Sequence, residues 1–269
     1  MDPVIITTLA IALYLATTFL LGRRLAGGQG VQPYNRLPLL SLGFGAVILH
    51  GSVLASTLIT ESGINLGFFN ALSLVTALVA LLMLVTALFQ RIESLGIVIL
   101  PLAALAMLLE QLIPGQRILL NSQASHIELH IVLSLLAYSL LGIAALQAVL
   151  LAIQDRQLRH KHPGGFMRAL PPMQEMENLL FRLIAGGFVL LSLSLLTGIL
   201  YLEDIFAQHL VHKTVLSLLA WSVFGILLAG RWLSGWRGRT AIRWTLTGFG
   251  VLLLAYFGSK LVLELILSN

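Results

Sequence analysis

The stretch HIELHIVLSLLAYSLLGIAALQAVLL, residues 126–151, decides the fold class of this chain. From Leu129 onward it contains no Asp, Glu, Lys or Arg, and most of its side chains are Leu, Ile, Val or Ala. An apolar run of roughly 20 residues is long enough to cross the hydrocarbon core of a bilayer as an α-helix. The stretch therefore predicts a transmembrane helix that opens with two histidines, His126 and His130.

Similar apolar segments recur along the whole chain. Of its 269 residues, 58% are hydrophobic and 10% are charged, which leaves too little polar surface to coat a water-soluble globule. The segments lack the two-residue alternation of a membrane β-barrel. We therefore expect an all-α, polytopic membrane protein in which residues 1–269 form a single transmembrane helical bundle. Its eight predicted spans are about 3–22, 37–58, 67–89, 94–113, 127–153, 178–202, 212–230 and 244–267.

The basic residues predict how these spans are oriented. Lys and Arg accumulate on the cytoplasmic side of membrane proteins. If the N-terminus lies outside, 12 of the 16 Lys and Arg residues fall in inner loops. Both termini are therefore predicted on the outer, periplasmic side. The first span ends in Arg23 and Arg24 instead of following a basic stretch, so it is expected to remain as a span and not to be a cleaved signal peptide.

Composition also excludes several classes of function. The chain has no cysteine, so it offers no thiol redox chemistry, disulfide or iron-sulfur ligation. Its net charge of +5 is explained by the inner loops, so membrane lipid is the expected partner and nucleic acid is not. No combination of a nucleophile with a general base stands out, so we do not expect an enzyme.

The ionisable residues of the spans gather near the predicted outer side. Such residues are costly inside a bilayer and usually mark function. Ser125 and Glu128 fit a capping box at the start of the fifth span, whereas His126 and His130 are four residues apart and share one helix face. The set comprises His50, Glu110, His126, Glu128, His130, His209, His212, Lys213, Lys260 and Glu264.

His50 is the single residue that most requires an explanation. An imidazole more than one turn inside a span must find a partner or lose solvation energy. One interpretation is a hydrogen bond to a neighbouring helix. The other is a haem iron ligand, since neutral imidazole is a usual axial ligand and an apolar macrocycle suits a slot between membrane helices. Arg117, Lys213 and Lys260 lie at a suitable depth to face the propionates of such a haem.

From about Ser125 onward, residues 125–269 resemble the cytochrome c assembly protein family, which comprises polytopic haem-handling membrane proteins of CcsA, CcmC and HemX type. The resemblance is greatest to its YpjD branch of inner-membrane proteins. The pieces that carry it are LHIVLSLLAYSLLGIAALQAVLL (129–151), ALPPMQEMENLLF (169–181), LLTGILY (195–201), HKTVLSLLAW (212–221), GWRGR (235–239) and GFGVLLLAYFGSK (248–260).

The resemblance implies haem b at the outer face, in support of cytochrome or haem biogenesis with other biogenesis membrane proteins as partners. His50 and His130 are then the candidate axial ligands, with His126 or His212 as exchangeable ones. Family members that export haem carry a tryptophan-rich motif ending in Asp-Pro-Lys between spans 6 and 7. Here that loop reads EDIFAQHLVHK (203–213). His130 matches the histidine that precedes the motif, whereas two further export histidines fall on Ala229 and Leu267.

The sequence thus favours an accessory or regulatory haem-binding protein over an exporter. Two alternatives stay open. One is an accessory or component of a divalent-cation transport system without haem, in which the outer His and Glu residues form a weak metal site. The other is a scaffold without a ligand, in which the histidines only bridge helices.

Overall fold

A computed structural model describes residues 3–26, 37–60, 63–65, 67–90, 92–113, 118–120, 125–159, 170–201 and 211–258. It confirms the predicted all-α class. At some element ends only the backbone is described, and these positions include His126, Glu128 and His212. The helices are α1 (Pro3–Ala26), α2 (Leu37–Leu58), α3 (Phe68–Phe89), α4 (Gly96–Leu112), α5 (Ser125–Arg159), α6 (Met173–Tyr201), α7 (Val211–Ser234) and α8 (Arg239–Leu253).

Seven helices in the described part of the chain are long and apolar enough to cross a membrane, and they correspond to the first seven predicted spans. The eighth predicted span begins inside α8, which continues as a π-helical turn at Leu254–Gly258, and it ends outside the described residues. Helix α5 reaches Arg159 and α6 already begins at Met173, beyond the predicted spans. The difference arises because hydropathy marks the part in lipid, whereas helical hydrogen bonding continues into the polar ends.

The chain divides into two compact units. The first unit comprises Met1–Ser122 with Gln157–Pro171, and the second comprises Gln123–Arg156 with Pro172–Asn269. The single bundle expected from the sequence stays a prediction. In the first unit, α1 packs on α2 and α4, and α3 packs on the same two helices. Part of its core is a cluster of Ala10, Val53 and Met107, which come from α1, α2 and α4.

A small antiparallel sheet in the first unit was not predicted. Its strands are β1 (Ile59–Thr60), β2 (Gly63–Asn65) and β3 (Ile118–Leu120), in the order β1-β2-β3. Strand β1 follows α2 directly, and β2 shortly precedes α3. Strands of two or three residues are too short to show an alternating pattern, so the sequence offered no signal for them.

In the second unit, α7 packs on α6 and α8. Helix α5 approaches α6 closely at Gly187, where an added Cβ would lie 2.6 Å from Cδ2 of Leu141. Helix α5 also contacts α8, because the hydroxyl of Tyr138 donates a hydrogen bond of 2.9 Å to the carbonyl oxygen of Leu252. These contacts fix the position of α5, which carries His130.

Candidate functional site

His130 lies on α5 and is held against α6 by one edge of its ring. Nδ1 lies 2.9 Å from the carbonyl oxygen of Ser194 and 3.3 Å from Oγ1 of Thr197. The side chain is half-buried. The contact fixes the direction of the ring, because both partners belong to one turn of α6.

The Ser194 partner also determines the tautomer of His130. A backbone carbonyl can only accept a hydrogen bond, so Nδ1 must carry the proton that it donates. The neutral ring then has its lone pair on Nε2. Across the described residues, Nε2 of His130 has no hydrogen-bond partner. The imidazole is therefore oriented with one nitrogen free to coordinate a metal.

Hydroxyl groups one helical turn after His130 also join α5 to α6. Ser134 Oγ donates to the carbonyl oxygen of His130 at 2.7 Å and lies 2.7 Å from Oγ of Ser194. Since the Ser134 proton is already used, Ser194 Oγ is the donor in the second bond. Thr197 Oγ1 donates to the Ser194 carbonyl at 2.9 Å. Sequence reasoning missed Ser194 and Thr197, because serine and threonine in a span also occur at ordinary helix contacts.

His50 lies in the first unit and has a different environment. Its side chain is fully buried, at 0% exposure. The Tyr14 hydroxyl lies 3.1 Å from Nδ1, and the Ser73 hydroxyl lies 2.8 Å from Nε2. These partners lie on α1 and α3, so His50 bridges three helices. Iron could reach His50 only after one of these hydrogen bonds had been given up.

The other predicted ligands are described less completely. His126 lies one turn before His130 on α5, and His212 lies in the first turn of α7, but their side chains are outside the described part of the structure. Lys213 follows His212 on α7 and is half-buried. Arg117 lies outside the described residues. All the predicted haem ligands and propionate partners, His50 and His130 included, therefore stay predictions.

Glu110, another of the ionisable residues in the predicted spans, lies in the last turns of α4. Its side chain is 5% exposed, and Oε1 accepts a hydrogen bond of 2.7 Å from the Thr57 hydroxyl of α2. No group of three or more His, Cys, Asp or Glu side chains that could hold a metal ion occurs among the described residues. Glu110 thus joins α2 to α4 through a hydroxyl partner.

Comparison with known proteins gives the family. The family model described as "Cytochrome C assembly protein" matches residues 39–267. The match confirms the resemblance to this family and extends it through α2, α3 and α4, where the sequence pieces were less distinctive. No solved structure is significantly similar to the chain.

Individual relatives agree with this match. "Inner membrane protein YpjD" of Escherichia coli K12 is 35% identical over 223 residues, which is 82% of this chain and 84% of that protein. "Cytochrome c biogenesis protein CcsA" of Cyanophora paradoxa is 29% identical over 91 residues, 33% of this chain and 28% of that protein. "Protein HemX" of Brevibacillus brevis is 21% identical over 131 residues, 48% of each chain. This multi-pass membrane protein belongs to the cytochrome c assembly protein family.

Proposed function

We propose that this protein binds haem b through Nε2 of His130 and handles it in support of cytochrome c assembly. The observation that carries the proposal is the hydrogen bond from Nδ1 of His130 to the Ser194 carbonyl. Histidines that bind metals usually donate their second ring nitrogen in this way, which fixes the tautomer and makes the ligating nitrogen more basic. His130 therefore fits the role of an axial ligand.

The relatives support the cellular context. The Cyanophora protein is named for cytochrome c biogenesis and the Escherichia coli protein for the inner membrane. We infer a bacterial inner-membrane location, with other cytochrome-biogenesis membrane proteins as partners. The tryptophan-rich motif of the haem exporters is absent from residues 203–213, which favours an accessory or regulatory role. That role requires binding and orientation by this chain, and no catalysis.

A second axial ligand would complete the site. His126 and His212 belong to the same unit as His130, which favours either as an exchangeable partner. His50 remains a candidate that must first lose its bond to Ser73 or Tyr14. Lys213 and Arg117 are the proposed partners of the propionates. When bound, haem would supply an iron centre whose reduction potential depends on axial ligation and burial.

The proposal is tested by optical spectra of the detergent-purified protein, oxidised and dithionite-reduced, after expression with ample haem. The wild-type protein should show a Soret band and sharp reduced α and β bands. His130→Ala should lose these bands, and free imidazole should restore them, because it can occupy the position of the removed ring. A purely structural role of His130 would not be rescued in this way.

His50→Gln is the matched variant, since it also removes an imidazole from a span. Retained bands in this variant would assign the second ligand to another histidine. Lost bands that free imidazole restores would instead identify His50 as that ligand. A wild-type protein that takes up no haem on titration, or a His130→Ala variant with unchanged bands, would refute the proposal.

A further inference from the structure

A buried carboxylate fixes the turn between α7 and α8. Glu177 Oε1 accepts hydrogen bonds from Arg231 Nη1 at 3.0 Å and from Arg237 Nε at 2.9 Å, and Oε2 accepts from Gly238 N at 3.4 Å. The Glu177 side chain is only 7% exposed. Glu177 lies in α6 about 25 Å along the helix from Ser194, at a rise of about 1.5 Å per residue, so this turn is remote from His130.

Arg231 uses Nη1 for two contacts within this turn. Its Nη1 also donates to the Trp236 carbonyl at 3.3 Å, and its guanidinium lies 4.6 Å from the centroid of the Phe181 ring. Its side chain is 22% exposed. Arg231 therefore serves the internal structure of the turn.

Arg237 and Arg239 are held in a different way. Each uses Nε for a carboxylate of another helix: Arg237 pairs with Glu177 of α6, and Arg239 pairs with Oδ2 of Asp155 of α5 at 3.0 Å. Their side chains are 51% and 59% exposed. Within the part of the chain that the structure describes, the Nη groups of both arginines have no hydrogen-bond partner. Two guanidinium groups are thus fixed in direction while their outer N–H donors stay available.

The local charge is positive. Three guanidinium groups, those of Arg231, Arg237 and Arg239, face two carboxylates, those of Glu177 and Asp155, which leaves one positive charge. Arg243 adds another, since it is exposed one turn further along α8. An anion at this turn would therefore meet a net attraction in addition to the free N–H donors.

Aromatic side chains indicate that this turn lies at a membrane surface. Trp232, in the last turn of α7, is 84% exposed and the neighbouring Leu233 is 86% exposed. The rings of Trp236 and Trp244 pack with their centroids 5.3 Å apart. Tryptophan is enriched where membrane proteins cross the headgroup region. Lipid phosphate is an anion of the headgroup region.

We propose that Arg237 and Arg239 bind the phosphate of an anionic phospholipid headgroup. The planar guanidinium group matches the geometry of phosphate oxygens and binds them through paired N–H donors. Clusters of basic residues at a membrane surface attract acidic lipid headgroups. The site would tie the ends of α5, α6 and α8 to one lipid, because the two arginines are themselves anchored on those helices.

Native mass spectrometry of the delipidated protein in detergent tests the proposal. The protein is titrated with phosphatidylglycerol and, separately, with phosphatidylcholine of the same acyl chains. The wild-type protein should prefer phosphatidylglycerol. Arg237→Gln and Arg239→Gln should each reduce that preference by about fivefold, the contribution expected of one basic residue near an anionic headgroup. The double variant should bind both lipids nearly equally.

Arg156→Gln is the matched control, because it removes the same charge from an exposed position beside Asp155. It should keep the wild-type preference. Equal losses in Arg156→Gln and Arg239→Gln would overturn the proposal and indicate a diffuse charge effect. Arg239→Lys separates charge from geometry: a preference reduced to that of Arg239→Gln supports paired N–H contacts. Binding of inorganic phosphate without any preference between the two lipids would overturn the assignment to a lipid.

Discussion

The hydroxyl of Tyr14 lies 3.1 Å from Nδ1 of His50, and neither side chain is exposed. Ser73 occupies the other ring nitrogen, so one imidazole joins α1, α2 and α3 through two hydrogen bonds. In an apolar interior no water is available to hydrogen-bond these side chains if the bridge is broken. The first unit thus depends on a buried polar contact that joins three of its helices.

Replacing His50 should destabilise the first unit strongly. His50→Ala leaves the hydroxyls of Tyr14 and Ser73 unpaired, and each unsatisfied buried group costs about 1–3 kcal/mol. Tyr14→Phe leaves only one group unpaired and should cost about half as much. Thermal unfolding in detergent measures both. Thr18→Val is the control, because the Thr18 hydroxyl bonds only to Tyr14 O of its own helix. The prediction is wrong if His50→Ala costs no more than this control.

Ser134 and Ser194 should be energetically coupled. Their hydroxyl oxygens lie 2.7 Å apart between α5 and α6. Hydrogen bonds between membrane helices contribute about 0.6 kcal/mol on average, and up to about 1.7 kcal/mol. A double-mutant cycle with Ser134→Ala and Ser194→Ala should give a coupling energy in this range. Strictly additive losses would mean that the two hydroxyls do not bond in the membrane.

Glu177 should matter far more than Asp155. Removing one partner of a buried ion pair costs about 3–5 kcal/mol, and the partial exposure of Arg231 and Arg237 places Glu177→Ala near the lower value. Asp155→Ala breaks a more exposed pair, for which about 0–1 kcal/mol is typical. The difference is measured by comparing the thermal unfolding of the two variants. Equal losses would contradict the anchoring role of Glu177.

Gly230 should not tolerate a side chain while Trp236 is present. An added Cβ would lie 2.4 Å from Cδ2 of the Trp236 ring, so Gly230→Ala should cost about 1–3 kcal/mol through overpacking. The cost should largely disappear in a Trp236→Ala background. Gly250→Ala serves as the control, because nothing lies within 4 Å of its added Cβ. The measurement is thermal unfolding of Gly230→Ala, Trp236→Ala, the double variant and Gly250→Ala. The prediction is wrong if Gly230→Ala is harmless in both backgrounds.

The spans could be predicted from the sequence because the hydrocarbon core of a bilayer requires a long run of mainly apolar side chains. The long apolar runs therefore located seven helices, whereas their polar extensions and the short strands were missed. The partners of the polar residues were harder to find. Glu177 is separated from Arg231 and Arg237 by 54 and 60 residues, and no local pattern links positions so far apart.

In the candidate site, too, the residue was predictable from the sequence but its hydrogen-bond partners were not. The sequence identified His130 from its depth in a span and from its resemblance to a family histidine. It left open whether His50 meets iron or a neighbouring helix, and the structure pairs His50 with Tyr14 and Ser73. Tyr14 gave no signal, because an aromatic residue in an apolar run is ordinary. Whether Tyr14 lies opposite His50 depends on how α1 packs against α2, and the sequence does not reveal that packing.

The main-chain acceptor of His130 has a consequence for how this protein tolerates change. A side-chain acceptor can be lost through a single codon substitution, but the carbonyl at position 194 is present whichever amino acid occupies that position. The hydrogen bond that Nδ1 donates is therefore retained when residue 194 is substituted, as long as α6 keeps its place beside α5. Sequence can diverge around the histidine while Nε2 stays the nitrogen with the lone pair.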